Sequence, residues 1–326
     1  MKNIELFKNQ FYQLPKHYDG DFSLFVRESL NLYLSKLDKF ETWLKEEIQE
    51  NKVKIEALCN AINESIDQYL KGLPAKAYST LKASLEEIKP YLLYPTKESI
   101  LLVGGNINNY FRMRESFTKI DKSGIFHIPF YKRQNTLSYR YSIPGIPCIY
   151  LSNSVFLCWE ELGKPANKRL YCSRFEIDKN ILKTLNLSFT PSKILTMYSK
   201  KEHDLTMKIC QFFIPRALIT WPLIFACSIH TKCHNDNFKV EYIIPQLIMQ
   251  WCLENADIDG ICYYSVRSKY NNSLGYSLFQ ENLALPAKVN IDNTICDSLK
   301  NKLKLSEPLL IKSFKYLKSQ EISKKE

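Results

Sequence analysis

Glycine and proline are scarce in this 326-residue chain, at 9 and 14, which argues against long unstructured linkers. No uninterrupted apolar stretch approaches the ~20 residues that a membrane span requires. The opening residues, Met1-Lys2-Asn3-Ile4-Glu5, have no apolar core of the secretory-signal kind. A disulfide framework is also missing. The 10 cysteines, at 59, 148, 158, 172, 210, 227, 233, 252, 262 and 296, are scattered, most of them in apolar runs such as Ile261-Cys262-Tyr263. Disulfide scaffolds belong to short secreted chains. These absences predict a cytoplasmic protein with no membrane association and with reduced, mostly buried thiols.

Nucleotide and metal fingerprints are lacking too. Gly104-Gly105 follows the apolar run Ile100–Val103, yet neither G-x-G-x-x-G nor G-x-x-x-x-G-K-[ST] is present, so a turn is expected there. Cys227, His230, Cys233 and His234 have some metal-like spacing. Zinc sites, however, pair one short hairpin of ligands with a distant second pair. All four residues crowd into one stretch, with Cys227 expected inside a strand, so no metal is expected. No helix-turn-helix, RNP-like strand or zinc finger stands out.

The composition is that of a globular protein, with 45% apolar and 24% charged residues. The net charge of +11 is uneven: residues 1–100 hold 14 basic and 15 acidic residues, leaving 31 against 19 for the rest. A basic surface attracts phosphates, whether of a nucleic acid or of a dinucleotide. Residues 300–326 carry 8 basic and 3 acidic side chains, which suits a solvated end.

The hydrophobic pattern divides the chain. Asp21 is placed to cap a helix whose apolar face runs from Phe22 through Phe40 towards Trp43 and Ile48. A second helical pattern runs from Val53 to Leu70 and is stopped by Gly72 and Pro74. A third spans Ala77–Ile88 and is stopped by Pro90. Beyond Pro95 the apolar runs shorten and become strand-like: 124–128, 148–151, 170–177, 223–229 and 261–264. Helices are expected at Ser154–Leu162 and from Pro245 through Cys252. The fold class is therefore α/β or α+β, with residues 1–95 helical, 96–290 a mixed-sheet domain and 291–326 a basic tail. The helices are expected to modulate the sheet domain.

Several polar residues recur in a telling order. Arg112 and Arg114 follow Tyr110-Phe111. Arg140-Tyr141-Ser142 precedes Gly145. Tyr150-Leu151 is followed, eleven residues after the tyrosine, by Glu161. Glu241–Gln246 precedes Asp259-Gly260, and Tyr264-Ser265 follows. Over residues 100–285 this pattern resembles the RES-domain family, including the separation of 21 from Arg140 to Glu161. The chain departs from short members by its helical N-terminal region, by an insert around 179–220, and by lacking the proline often found between the tyrosine and the serine.

The resemblance implies an ADP-ribosyltransferase-like fold with NAD as substrate, no metal, and membership of toxin–antitoxin pairs. The implied activity is cleavage of the nicotinamide–ribose bond by hydrolysis or phosphorolysis, or protein ADP-ribosylation at the same site. It implies a neutralising antitoxin as partner, and a homo-oligomer is also allowed. Glu161 would stabilise the oxocarbenium-like ribose, and spacing favours it over Glu160. Arg140 would hold the diphosphate, with Arg112 or Arg114 assisting. Tyr150 would stack on nicotinamide, with Tyr264 nearby. Ser265 would bond the carboxamide or a ribose hydroxyl. His127 sits in Phe126-His127-Ile128 and is expected to be packed rather than catalytic. A non-enzymatic nucleic-acid-binding module is the competing reading of the basic charge.

Overall fold

The computed structural model describes residues 6–41, 43–93, 107–165, 169–178, 180–190, 203–233, 235–267, 280–288 and 294–311. Three helices open the chain: α1 (Phe22–Leu37), α2 (Trp43–Leu70) and α3 (Pro74–Leu92). The Asp21 carboxylate caps α1 by accepting from the Leu24 N–H at 2.7 Å, which satisfies a donor that the helix itself cannot. The break between the first two helices falls at Asp38–Glu41, ten residues earlier than the apolar pattern suggests. Phe40 turns inward there, 1% exposed, and packs on Phe7 at 5.8 Å. Pro90 lies inside the last turn of α3 and does not stop it. A proline there forfeits one bond, the one its missing N–H would have made to the carbonyl four residues earlier, and the helix ends soon after it, at Leu92.

An eight-stranded mixed sheet follows, made of β1 (Ile107–Glu115), β2 (Cys148–Ser152), β3 (Leu170–Asp178), β4 (Thr184–Leu187), β5 (Gly260–Tyr264), β6 (Glu281–Pro286), β7 (Leu303–Leu305) and β8 (Leu309–Leu310). The order is β4-β5-β6-β2-β1-β3-β7, with β8 also on β3. Only β4 and β5 run parallel; the other pairs are antiparallel. Part of the expected basic tail thus belongs to the sheet. Gly260 is required where β5 meets β6, because a Cβ there would lie 2.4 Å from the Ala284 carbonyl oxygen. Asp259 just before it is 6% exposed, accepts from the Lys183 N–H and pairs with Lys302 at 2.7 Å.

Between the strands lie α4 (Lys122–Ile125), α5 (Val155–Glu161), α6 (His203–Cys227), α7 (Ile243–Glu254) and α8 (Asp297–Lys302). Two strands expected from the sequence are corrected. Residues 223–229 form the end of α6 and the turn after it, so Cys227 is helical. Residues 124–128 hold the end of α4 and an extended turn. A short continuous apolar run has no periodicity by which strand and buried helix can be told apart. The run Ile100–Val103 with Gly104-Gly105 lies outside the described residues. Among the described residues no helix is long and apolar enough to cross a membrane.

The helical layer and the sheet share one core. It runs continuously from Phe7, Tyr33 and Ile62 through Leu218, Trp221 and Phe225 to Leu187, Ile261 and Ala284. Tyr33 stacks on Trp221 at 4.5 Å, and its hydroxyl donates to the Leu218 carbonyl at 2.5 Å. Polar ties reinforce the contact: the Trp251 indole N–H donates to Glu86 at 2.6 Å, and Lys82 pairs with Glu254 at 2.6 Å.

Two outcomes follow from this packing. Gly260→Ala should lower stability by about 2–3 kcal/mol, seen as a reduced urea midpoint at unchanged slope. A chain beginning at residue 96 should bind a hydrophobic dye and unfold without cooperativity. A sharp calorimetric transition in that shortened chain would contradict the shared core.

Candidate functional site

A cavity of about 370 Å³ opens between the sheet face of β1, β2 and β5 and the segments around residues 135–147 and 230–242. Four tyrosines line it: Tyr139, Tyr150, Tyr242 and Tyr263. Four arginines also line it: Arg112, Arg114, Arg140 and Arg267. Among the lining residues Glu161 is the single carboxylate.

Glu161 ends α5, whose first turn is capped by the Ser154 hydroxyl accepting from the Leu157 N–H at 3.1 Å. The short helix separates its two acidic neighbours. Glu160 points inward, 4% exposed, and pairs with Lys164 at 3.3 Å, while Glu161 faces the cavity. Two donors converge on Glu161 Oε1: the Ser265 hydroxyl at 2.6 Å and the Asn282 amide at 2.6 Å. The Arg267 Nε lies 3.9 Å from Oε2, and its guanidinium also donates to the Glu161 carbonyl at 3.0 Å.

Arg112 and Arg114 are two apart on β1 and so share a face. Arg114 donates to the Gly124 carbonyl. Arg112 Nη1 is buried without a hydrogen-bond partner. Burial, and Arg114 beside it, pull the Arg112 guanidinium down to about 10; burial lowers Arg114 as well. Among the described residues neither meets a carboxylate. Buried cations are ordinarily paired, so this pair suits an anionic ligand.

Arg140 takes a different place from the one expected of a diphosphate-binding residue. It lines the cavity, but it is 8% exposed and its guanidinium faces away into backbone. Nη1 donates to the Cys227 and Glu241 carbonyls at 3.2 and 3.4 Å, and Nη2 to the Ile229 carbonyl at 2.8 Å and to Thr231 Oγ1 at 3.3 Å. It therefore satisfies carbonyls left open at the end of α6, where a cation is favoured by the helix dipole. Its guanidinium carbon also lies 5.0 Å from the Tyr242 ring centroid.

Tyr150 lines the cavity. Its hydroxyl shares a 2.9 Å hydrogen bond with Ser142, its ring meets Tyr139 edge-on at 5.4 Å, and burial holds its phenol well above the ordinary value. Tyr264 does not line the cavity. Strand alternation sends it to the opposite face, 2% exposed, and brings Tyr263 to the cavity, packed on Tyr141 at 4.4 Å. Ser265 is 0% exposed and reaches Glu161, not open space.

His127 is packed, as its apolar neighbours suggest. It is buried, with Nδ1 facing the Ile128 carbonyl at 2.8 Å and Nε2 accepting from the Cys296 N–H at 2.9 Å. Of the cysteine–histidine cluster, His234 lies outside the described residues, Cys227 is buried at the end of α6, and His230 stacks on His17 at 4.0 Å. Among the described residues no group of three or more His, Cys, Asp or Glu is placed to hold a metal ion.

Sequence reasoning did not single out Ser152, Asn282, Tyr263 or Arg267. Period-two alternation places Ser152 on the face of Tyr150, and Arg267 follows Ser265 by two residues. No local signal marks Asn282, whose importance comes from pairing with β2.

The fold defines a mixed α/β protein with a helical layer, and its cavity sets one carboxylate among arginines and tyrosines. The chain is 33% identical over 304 residues to a Bacillus subtilis (strain 168) protein named "Putative toxin YopC", an alignment covering 90% of this chain and 67% of that protein. It belongs to the YopC family. No family model matches the chain, and no solved structure matches it.

Burial first, then the carbonyl of Ile128 and the nearby arginines Arg112 and Arg114, act on His127, and the net effect lowers its pKa below 6.5. The unfolded chain therefore takes up a proton that the folded chain refuses as pH drops below about 6.5. The stability from this group is complete above that pH and is lost as pH falls through the folded value. Chemical denaturation from about pH 7 to about pH 5 should show a shallower fall for His127→Gln than for the parent. Identical slopes would contradict the assignment.

Proposed function

We propose that this protein is a toxin-type enzyme that takes NAD as its substrate and cleaves the nicotinamide–ribose bond. One observation carries the reading: Glu161, the single carboxylate among the lining residues, is held by two hydrogen bonds on one oxygen in the same cavity as Arg112 and Arg114, which among the described residues meet no carboxylate. The name of YopC and the order Arg140, Tyr150, Glu161, Ser265, which resembles the RES domain, support it.

Nicotinamide leaves NAD as a neutral base, taking the electron pair of the C1′–N bond, so strong acid catalysis is not needed. The ribose passes through an oxocarbenium-like state that a fixed carboxylate stabilises electrostatically. Glu161 supplies that charge. The tyrosine wall offers faces for the nicotinamide ring. Arg112 and Arg114 face the diphosphate, taking the role first expected of Arg140, which shapes the wall instead. Water or inorganic phosphate then bonds to C1′, and water releases one proton as it does so. Leu137 lines the cavity and is 67% exposed, so a protein side chain is a second acceptor and protein ADP-ribosylation a second reading. The expected partner is a neutralising antitoxin.

The test is nicotinamide release from NAD by purified protein, with and without phosphate. Glu161→Gln should lower kcat about 100-fold. Arg112→Ala should raise KM by about tenfold or more, the loss of a charge-assisted contact. Folded parent protein that neither turns over nor binds NAD would overturn the reading and bring nucleic-acid binding forward.

A further inference from the structure

We propose that Asn282 is a positioning residue for Glu161, with Ser152 bracing its amide from the far side, so that Glu161 Oε1 is the anchored oxygen and Oε2 the one presented to the substrate. The catalytic part of this statement rests on the NAD-cleaving reading of the cavity.

The arrangement follows from strand register. Ser152 on β2 and Asn282 on β6 are direct cross-strand partners, which puts their side chains on one face within contact distance. The Ser152 hydroxyl donates to Asn282 Oδ1 at 2.7 Å. Asn282 Nδ2 then donates to Glu161 Oε1 at 2.6 Å. The opposite orientation of the amide would set its oxygen against a carboxylate oxygen, acceptor against acceptor, so the chemistry of the acid fixes the amide. Asn282 is 2% exposed, which removes competing water from both bonds.

Ser265 donates to the same Oε1 from the end of β5. Both strong donors therefore occupy one oxygen. Oε2 has the Arg267 Nε at 3.9 Å, beyond a direct hydrogen bond. A carboxylate held this way has one settled rotamer and one oxygen left to answer positive charge developing on a ribose. Because register is period-two, a slip of one residue in the β2–β6 ladder would turn Asn282 to the other face and abolish the relay.

The closing experiment compares Asn282→Leu, Asn282→Ala and Ser152→Ala with the parent. Leucine approximates the size of Asn282 but has no group that donates to Oε1. A space-filling role predicts near-parental turnover for Asn282→Leu and a loss only for Asn282→Ala. Positioning predicts that both lose kcat by about 10- to 100-fold while KM for NAD stays within about twofold, with Ser152→Ala intermediate. Independently of activity, the side-chain amide protons of Asn282 are followed by NMR in the folded parent. One of them should resonate downfield, exchange slowly, and move on both Glu161→Gln and Ser152→Ala. An Asn282 amide that ignores Glu161→Gln, or parental kcat in Asn282→Leu, overturns the proposal. If the amide responds as expected but the parent releases no nicotinamide, the NAD reading fails and the positioning of Glu161 stands.

Discussion

The structure depends on covering α6. From Phe213 to Cys227 this helix is buried almost all round, with Phe213, Ile214, Leu218, Trp221, Leu223, Ile224 and Phe225 each 2% exposed or less. A helix apolar on every face must be enclosed by other elements. Here α1, α2 and α3 cover it on one side, and α7 with the β4 and β5 end of the sheet on the other. The N-terminal helices thus complete the core rather than append to it. The end of α6 is equally constrained. Its open carbonyls are met by Arg140, and the Lys16 carbonyl accepts the His230 N–H at 2.8 Å. The wall of the cavity around residues 230–242 is built on that junction.

Within the cavity the polar groups fall into two kinds. Glu161, Ser265, Asn282 and Ser152 form a satisfied network, each with a partner of matched donor or acceptor character. Arg112 does not: withdrawal from water, and then Arg114 beside it, weaken its hold on a proton, and its Nη1 is buried without a hydrogen-bond partner. A network that is complete gives rigidity. A buried donor without a partner is a cost that a ligand removes. The contrast separates the part of the cavity whose polar groups are satisfied from the part that presents an unsatisfied donor.

Arg140 shows how residue type and spacing can indicate a position without its role. The guanidinium fork suits bidentate phosphate recognition, and Arg140 does border the cavity. Yet the same guanidinium suits carbonyls at a helix end, and only the approach of α6, some ninety residues later, decides between them. Tyr263 and Tyr264 differ by one residue, so the face of β5 that meets α6 and the cavity determines which of the two is reached.

What the sequence determined by itself is local or periodic: the Asp21 cap, three helices before a mixed sheet, and the strands at 148–151, 170–177 and 261–264. These follow from hydrogen-bond chemistry at helix ends and from side-chain periods of 3.6 and 2. Tertiary structure alone decided the rest. Residues 223–227 are helical because the surrounding layers bury every face of the helix, a context that apolarity by itself does not distinguish from a central strand. Asn282 joins Glu161 because β6 lies beside β2 in one register, bringing together residues 121 apart in sequence.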